Sequence, residues 1–350
     1  VTERTFGGAM DFSLLYFANR EATDPPREYD LLIQTARFAD SHDFTALWVP
    51  ERHFHPFGGS YPNPALAAAA LAVSTSRIRL RAGSVVLPLR DPVTVVEDWA
   101  FVDNLSGGRV DLALATGWIA NDFVLAPDRF AGRRQFVIDT IPVLRDLWAG
   151  TPITRPNGEG QPTEFRTFPR PLQRDLRLWL TCTSGVETFV LAGTHGLNVL
   201  TGLLVQRVDQ LATKIQAYRE ARRAAGHDPD AGTVTLMLHT FVHESDERVR
   251  EVIREPFVRY LRSSVNLWRH QWPELASSDL DRLSSFAFER YFGRSALFGS
   301  VEKCVGLVEQ LAAIGVTEVA SLVDFGVDED QVLAALPYLD AVRRKVRGGA

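Results

Sequence analysis

Directly after the apolar run "TALWVP", the chain reads "ERHFHPFGGSYPNP", which puts Arg52, His53 and His55 in one Gly- and Pro-rich loop. Imidazoles titrate near neutral pH, so this loop suits acid–base or hydrogen-bonding chemistry, with His53 the first candidate. Two histidines two apart also raise the question of a metal. No carboxylate or third histidine at ligand spacing completes such a site, and none is expected. A second segment, "AGSVVLPLRDP" (82–92), sets Ala82, Gly83 and Ser84 in a row, small enough for a flat ligand to approach the backbone. A third, "ATGWIANDF" (115–123), follows Thr116 and Gly117 with Trp118, Asn121, Asp122 and Phe123, an aromatic wall beside polar groups. In a fourth, "TCTSGVETF" (181–189), a strand ending in Thr-Ser-Gly opens a helix. Free N–H groups and the helix dipole there favour a phosphate, and Ser184 reads as an N-cap with Glu187 at capping-box spacing. Taken singly, each segment also reads as a tight strand exit, a core plug or a capped helix.

These segments need a scaffold that gathers them. Eight apolar, β-rich runs recur: 12–17, 45–50, 78–86, 109–117, 176–182, 197–203, 234–242 and 318–325. Stretches with apolar residues at three- and four-residue spacing separate them, and strand alternating with helix means a parallel sheet. Eight such units predict a (β/α)8 TIM barrel, in which the site lies at the C-terminal ends of the strands. Every segment above follows one of those ends. Residues 250–297, rich in Arg, Trp and Phe, read as an insertion before the last strand and as a cover over the site. Residues 154–165 read as an exposed loop, and 1–350 as one domain.

The bulk properties exclude other classes. Of 350 residues, 45% are hydrophobic and 23% charged, with a net charge of -5, which argues against nucleic acid as the main partner. Two cysteines far apart, Cys182 and Cys304, form no disulfide framework, and no apolar run is long enough to span a bilayer; a cytoplasmic protein off the membrane is expected. GxGxxG, GxxxxGK[ST] and GxSxG are all absent, so a Rossmann site, a P-loop and a serine hydrolase are not indicated.

Together, "ERHF…GGSYPNPALAAAALA…TSRIRLRAGSVVLPLRDPVTVVEDWAFVDNLSGGRVDLALATGW" resembles the N-terminal half of the luciferase-like flavin monooxygenases. The resemblance continues through "GRRQFVIDTIPVLRDLWAG", "SGVETFVLAGTHGLNVL" and "FGSVEKCVGLVEQLAAIGVTEVASLVDFG". Within the family, "GW…DFVLAP" and the "FGS…LVDFG" ending resemble the subgroup of polyketide and non-ribosomal peptide pathways. The resemblance implies a monooxygenase using reduced FMN and O2. Hydroxylation or Baeyer–Villiger insertion on a natural-product intermediate, free or on a carrier protein, would follow. It also implies a separate NAD(P)H:flavin reductase and a homodimer; the Ala-rich helix at 64–73 suits either a dimer seam or tight packing on the barrel, and the seam is the expectation. An F420-dependent oxidoreductase transferring hydride on the same barrel, and a flavin-binding protein without turnover, are the alternatives.

Residue by residue, His53 falls where the family keeps a loop histidine near flavin and substrate. Gly83, Ser84 and Val85 match a strand exit that often carries a non-prolyl cis peptide behind the flavin. Arg134, Ser184, Gly185 and Thr188 match the flavin-phosphate positions, and His239 in "LMLHTF" matches an active-site histidine of the alkanesulfonate monooxygenases. Thr116 and Trp118 would wall the flavin, with Asp122 on a polar group. His53, His239, Arg52 and Asp122 are therefore the candidate catalytic residues. The sequence departs from its relatives where Thr116 replaces an arginine and Arg52 a histidine of bacterial luciferase, and where Met237 replaces an arginine of the sulfonate enzymes. Those departures argue against light emission and sulfonate substrates. Ile119 stands where the subgroup often has a histidine.

Overall fold

The computed structural model describes residues 10–17, 29–55, 58–183, 185–204, 206–268 and 287–348. Eleven strands are present among them: β1 (Asp11–Leu15), β2 (Ala46–Val49), β3 (Arg79–Val86), β4 (Val110–Ala115), β5 (Ile153–Pro156), β6 (Pro162–Phe165), β7 (Leu178–Thr181), β8 (Asn198–Gly202), β9 (Val234–His243), β10 (Leu297–Ser300) and β11 (Glu318–Leu322). The longer helices are α1 (Asp30–Ser41), α2 (Pro64–Ser74), α3 (Pro92–Ser106), α4 (Arg133–Ala149), α5 (Val186–Thr194), α6 (Val208–Ala224), α7 (Asp246–Trp268), α8 (Val301–Ala313) and α9 (Glu329–Val346).

Strands β1, β2, β3, β4, β7, β8, β9 and β11 pair in parallel in that order, and β11 returns to β1, closing the (β/α)8 barrel. All eight strands expected from the sequence are there. They are legible because parallel strands covered by helices are buried on both faces and appear as continuous apolar runs. Local chemistry starts the helices: Pro64 and Pro92 open α2 and α3, while the Asn63 and Asp91 side chains accept from Ala65 N (2.9 Å) and Val93 N (2.8 Å). Such caps are worth about 1 kcal/mol each.

The N-terminal end of the barrel is plugged by charge. Arg81 is 2% exposed; its Nε meets Asp111 Oδ2 at 2.8 Å, and its Nη1 meets both carboxylate oxygens of Glu318 at 2.8 Å. The guanidinium packs against the rings of both Trp48 (4.8 Å) and Trp179 (4.6 Å), which meet edge to face. Ser13 and Thr235 donate to Glu318 at 2.6 and 3.1 Å, and Arg79 and Arg177 add further bonds to Asp111. Burial alone would raise the Asp111 carboxyl. Arg81, Arg79 and Arg177 overcome that and hold it below the usual carboxylate range.

Two stretches differ from expectation. Residues 154–165 belong to an antiparallel hairpin, β5 with β6, rather than a loop. Its polar, Pro- and Gly-rich composition hides a two-stranded ribbon with little to bury. The insertion lies before the last barrel strand, as expected, but it begins in α7 and contains β10, which pairs with the last four residues of β9. "LFGS" is too short to be recognised as a strand without that overhang. The cover expected at 250–297 falls partly on 269–286, outside the described residues. No helix among the described residues is long and apolar enough to cross a membrane.

Candidate functional site at the C-terminal end of the barrel

Because the eight strands run parallel, the segments that follow them share one end. Past β2, Arg52 is 5% exposed and its backbone N donates to Tyr61 O at 2.9 Å, which folds the loop back on itself. Its Nη1 lies 3.7 Å from Asp122 Oδ2, and its guanidinium carbon 5.2 Å from the Trp118 ring. The β2 and β4 exits are thus brought together, as the sequence expects. Asp122 is buried whereas Asn121 is exposed, so only the aspartate faces inward. Burial pushes the Asp122 carboxyl above its ordinary range, against the pull of Arg52 and His53. Burial also lowers the Arg52 guanidinium, against Asp122.

His53 Nε2 lies 3.0 Å from Glu51 Oε1, and Glu51 also accepts from Val86 N (2.9 Å) and Arg90 Nε (2.8 Å). Glu51 was not singled out from the sequence. Its signal was the two-residue step to His53, which puts both side chains on one side of an extended chain. The carboxylate anchors the histidine to the β3 exit. At that exit the Gly83–Ser84 peptide is cis, where the resemblance expects it, and the β3–β4 register shifts between Ala82 and Val85. A Cβ on Gly83 would lie 3.1 Å from the Trp48 side chain, so any larger residue here would press on that indole. The Ser84 hydroxyl bonds Thr181 at the end of β7, a second residue that the sequence did not flag. Val85 is buried in the core, beneath rather than on the site surface.

Thr116 and Trp118 are half-buried on either side of Gly117. Gly117 has φ +72°, and a Cβ there would come within 2.9 Å of both Phe123 and Val86. That left-handed turn aims Trp118 at Arg52. Arg133 Nε donates to Gly117 O at 3.1 Å, whereas Arg134 is exposed. Of the pair opening α4, it is Arg133 that turns toward the strand exit. Helix α5 starts at Val186 with Gly185 as its N-cap and no side-chain capping bond from that residue; the capping box expected of Ser184 and Glu187 falls on a residue outside those described. Ser184 itself lies outside the described residues, and Thr188 is half-buried in the first turn.

His239 sits in β9, 3% exposed, with the rings of Tyr260, Phe257, Tyr291 and Phe325 at 4.9 to 5.9 Å. Burial pushes it down to about 3, so it is neutral at working pH. Among the described residues, neither His239 Nε2 nor the Tyr291 hydroxyl has a hydrogen-bond partner, and the same holds for Arg52 Nε and Nη2. Buried polar atoms are rarely left bare without a reason. Among the described residues no group of three or more His, Cys, Asp or Glu side chains is placed to hold a metal ion.

A closed (β/α)8 barrel with bare buried donors at the C-terminal ends of its strands is the architecture of a barrel enzyme. The sequence profile of the luciferase-like monooxygenases matches residues 10–318. The chain belongs to that family, and it is an oxidoreductase of the monooxygenase kind. The oxygenase component of the flavin-dependent trigonelline monooxygenase of Acinetobacter baylyi is 25% identical over 347 residues, covering 93% of this chain and 92% of that one. The 4-hydroxyprotoasukamycin monooxygenase of Streptomyces nodosus subsp. asukaensis is 28% identical over 286 residues, covering 80% and 76%. The fold matches the oxygenating constituent of 3,6-diketocamphane monooxygenase from Pseudomonas putida, a type II Baeyer–Villiger monooxygenase in complex with FMN. The TM-score is 0.78 at 18% identity, covering 97% of this chain and 98% of that one.

Proposed function

We propose that the chain is the oxygenase component of a two-component monooxygenase, supplied with reduced FMN by a separate NAD(P)H:flavin reductase. It would act by hydroxylation or Baeyer–Villiger insertion on a natural-product intermediate, free or bound to a carrier protein. The observation that carries this is the bare Arg52 and His239 nitrogens at the active end of a barrel whose family match spans residues 10–318. The flavin-dependent and natural-product monooxygenases among its relatives support it.

The donor set fits a flavin. Gly83, Ser84, Thr116 and Trp118 would hold the ring. Gly185 and Thr188, at the N-terminal end of α5, would take the phosphate. Bound reduced FMN supplies two electrons, so that one atom of O2 enters the substrate and the other leaves as water. The chain's own residues do the rest. His53, fixed by Glu51, holds or donates a proton at Nδ1 or Nε2. Neutral His239 offers its bare nitrogen to a substrate oxygen within an aromatic, water-poor wall.

Two copies would pair through α2 and α3. Leu66 (69% exposed) and Val73 (72%) on α2, with Phe101 (57%) on α3, form an outward apolar face. Within the Ala-rich helix, Ala65, Ala68 and Ala72 are buried, whereas Ala70 is exposed on the outward side. Sedimentation of the Leu66→Glu, Phe101→Glu double variant as a monomer, with the parent a dimer, would support this face as the interface.

Anaerobic titration with reduced FMN, and in parallel with reduced F420, followed by mixing with O2, tests the cofactor. Binding of reduced FMN with O2-dependent product formation supports the proposal. Binding of F420 alone, with hydride transfer that needs no O2, replaces it with the oxidoreductase alternative. Binding of flavin with no product in either case leaves a flavin-binding protein.

A further inference from the structure

We propose that the Nε–Nη2 edge of Arg52 is the seat of a carboxylate, or of an equivalent planar two-oxygen anion, on the substrate. This assignment deepens the oxygenase reading and rests on it.

The chain itself shows what that edge of an arginine does when occupied. Arg79 presents Nε and Nη2 to Asp111 at 2.7 and 2.5 Å, and Arg177 presents the same two atoms to the same carboxylate at 3.0 and 3.0 Å. A guanidinium matches a carboxylate side-on through this pair, each N–H to one oxygen. In Arg52 both atoms of the pair are buried, and among the described residues neither has a hydrogen-bond partner. The Arg52 edge has the geometry of the other two and is one carboxylate short.

Asp122 does not fill it. It approaches Nη1, at 3.7 Å, which is too long for a hydrogen bond and belongs to the other side of the guanidinium. The aspartate balances part of the charge and makes no hydrogen bond to the Nε–Nη2 edge. Trp118 lies against the guanidinium at 5.2 Å, an aromatic flank suited to the flat body of a molecule whose anion sits on Arg52. An edge with two fixed donors discriminates strongly: a ligand that presents a neutral group leaves one donor bare, which costs affinity. The predicted substrate class is therefore planar and unsaturated, carrying a carboxylate or an enolised dicarbonyl.

The test uses the full chain, with and without bound FMN, and a series of aromatic carboxylates of increasing ring number, each paired with its neutral carboxamide. Equilibrium binding is read from tryptophan fluorescence. The parent is expected to bind at least one carboxylate about tenfold or more tightly than its amide. Arg52→Met and Arg52→Lys should both abolish the preference, because lysine keeps the charge but not the paired edge. A preference that survives both substitutions, or no preference in the parent for any pair, overturns the assignment. So does a parallel loss of reduced-FMN affinity in the variants, which would give the edge to the cofactor. Failure of the parent to bind reduced FMN counts instead against the oxygenase reading, and the two failures are read from separate titrations. Arg52→Lys also guards against misfolding of the methionine variant, since a cooperative melt with the preference lost speaks to recognition alone.

Discussion

Two buried arginines lie against tryptophans at opposite ends of the barrel. Arg81, at the N-terminal end, is held by Asp111 and Glu318 and packs against Trp48 and Trp179. Arg52, at the C-terminal end, lies beside Trp118 with the Asp122 carboxylate 3.7 Å away and, among the described residues, two nitrogens without a partner. Residue type and burial are alike, and the difference lies in the partners. Where the charge is fully matched from within, it closes the structure. Where it is left partly unmatched, the match is reserved for something that arrives later. The comparison separates what holds this barrel from what it holds.

The sharpest way to break the comparison is to remove a partner from the matched end. Glu318→Gln leaves Arg81 half-paired in a dry core and should cost about 3–5 kcal/mol of stability, read from urea unfolding. Reduced-FMN affinity of the folded fraction should not change. Arg52→Met should do the reverse. Stability should move by less than about 1 kcal/mol, because the residue is already short of partners. At the same time kcat/KM for the oxygenation substrate should fall by about 30- to 100-fold.

A smaller effect concerns the neutral member of the open end. His239 has a folded value of about 3 against 6.5 when unfolded, so the unfolded chain takes up the proton first. The stability this residue protects is fully present above pH 6.5 and is lost as pH falls toward 3, by at most about 1.4 kcal/mol per unit. His239→Phe should flatten that limb, with urea midpoints compared at pH 7 and pH 5. The smallest expected change is Thr181→Val, which deletes a single hydroxyl contact to Ser84 and should cost about 1 kcal/mol in thermal unfolding.

The barrel was legible from sequence because each of its strands is an apolar run between turn residues, which is a local property. So was the grouping of Arg52, Trp118 and Asp122, since every strand exit of a parallel barrel faces one way. Partner choice was not legible. That Glu51 holds His53, that Thr181 meets Ser84 and that Arg133 rather than Arg134 turns to Gly117 depend on how separate segments dock. The same holds for β10, which exists as a strand only because β9 runs past the barrel wall. The α2 alanines show the limit from the other side: small residues permit close approach without saying to which neighbour.

The plug also sets an order in time. Arg81 and Asp111 are 30 residues apart and can meet early, but Glu318 lies a further 207 residues on, 237 from Arg81. A growing chain therefore carries a half-neutralised arginine until its last barrel strand is made. Only when β11 docks between β1 and β9 does the buried charge balance and the wall close. The plug thus ties the last barrel strand to the first half of the chain, across 237 residues of sequence.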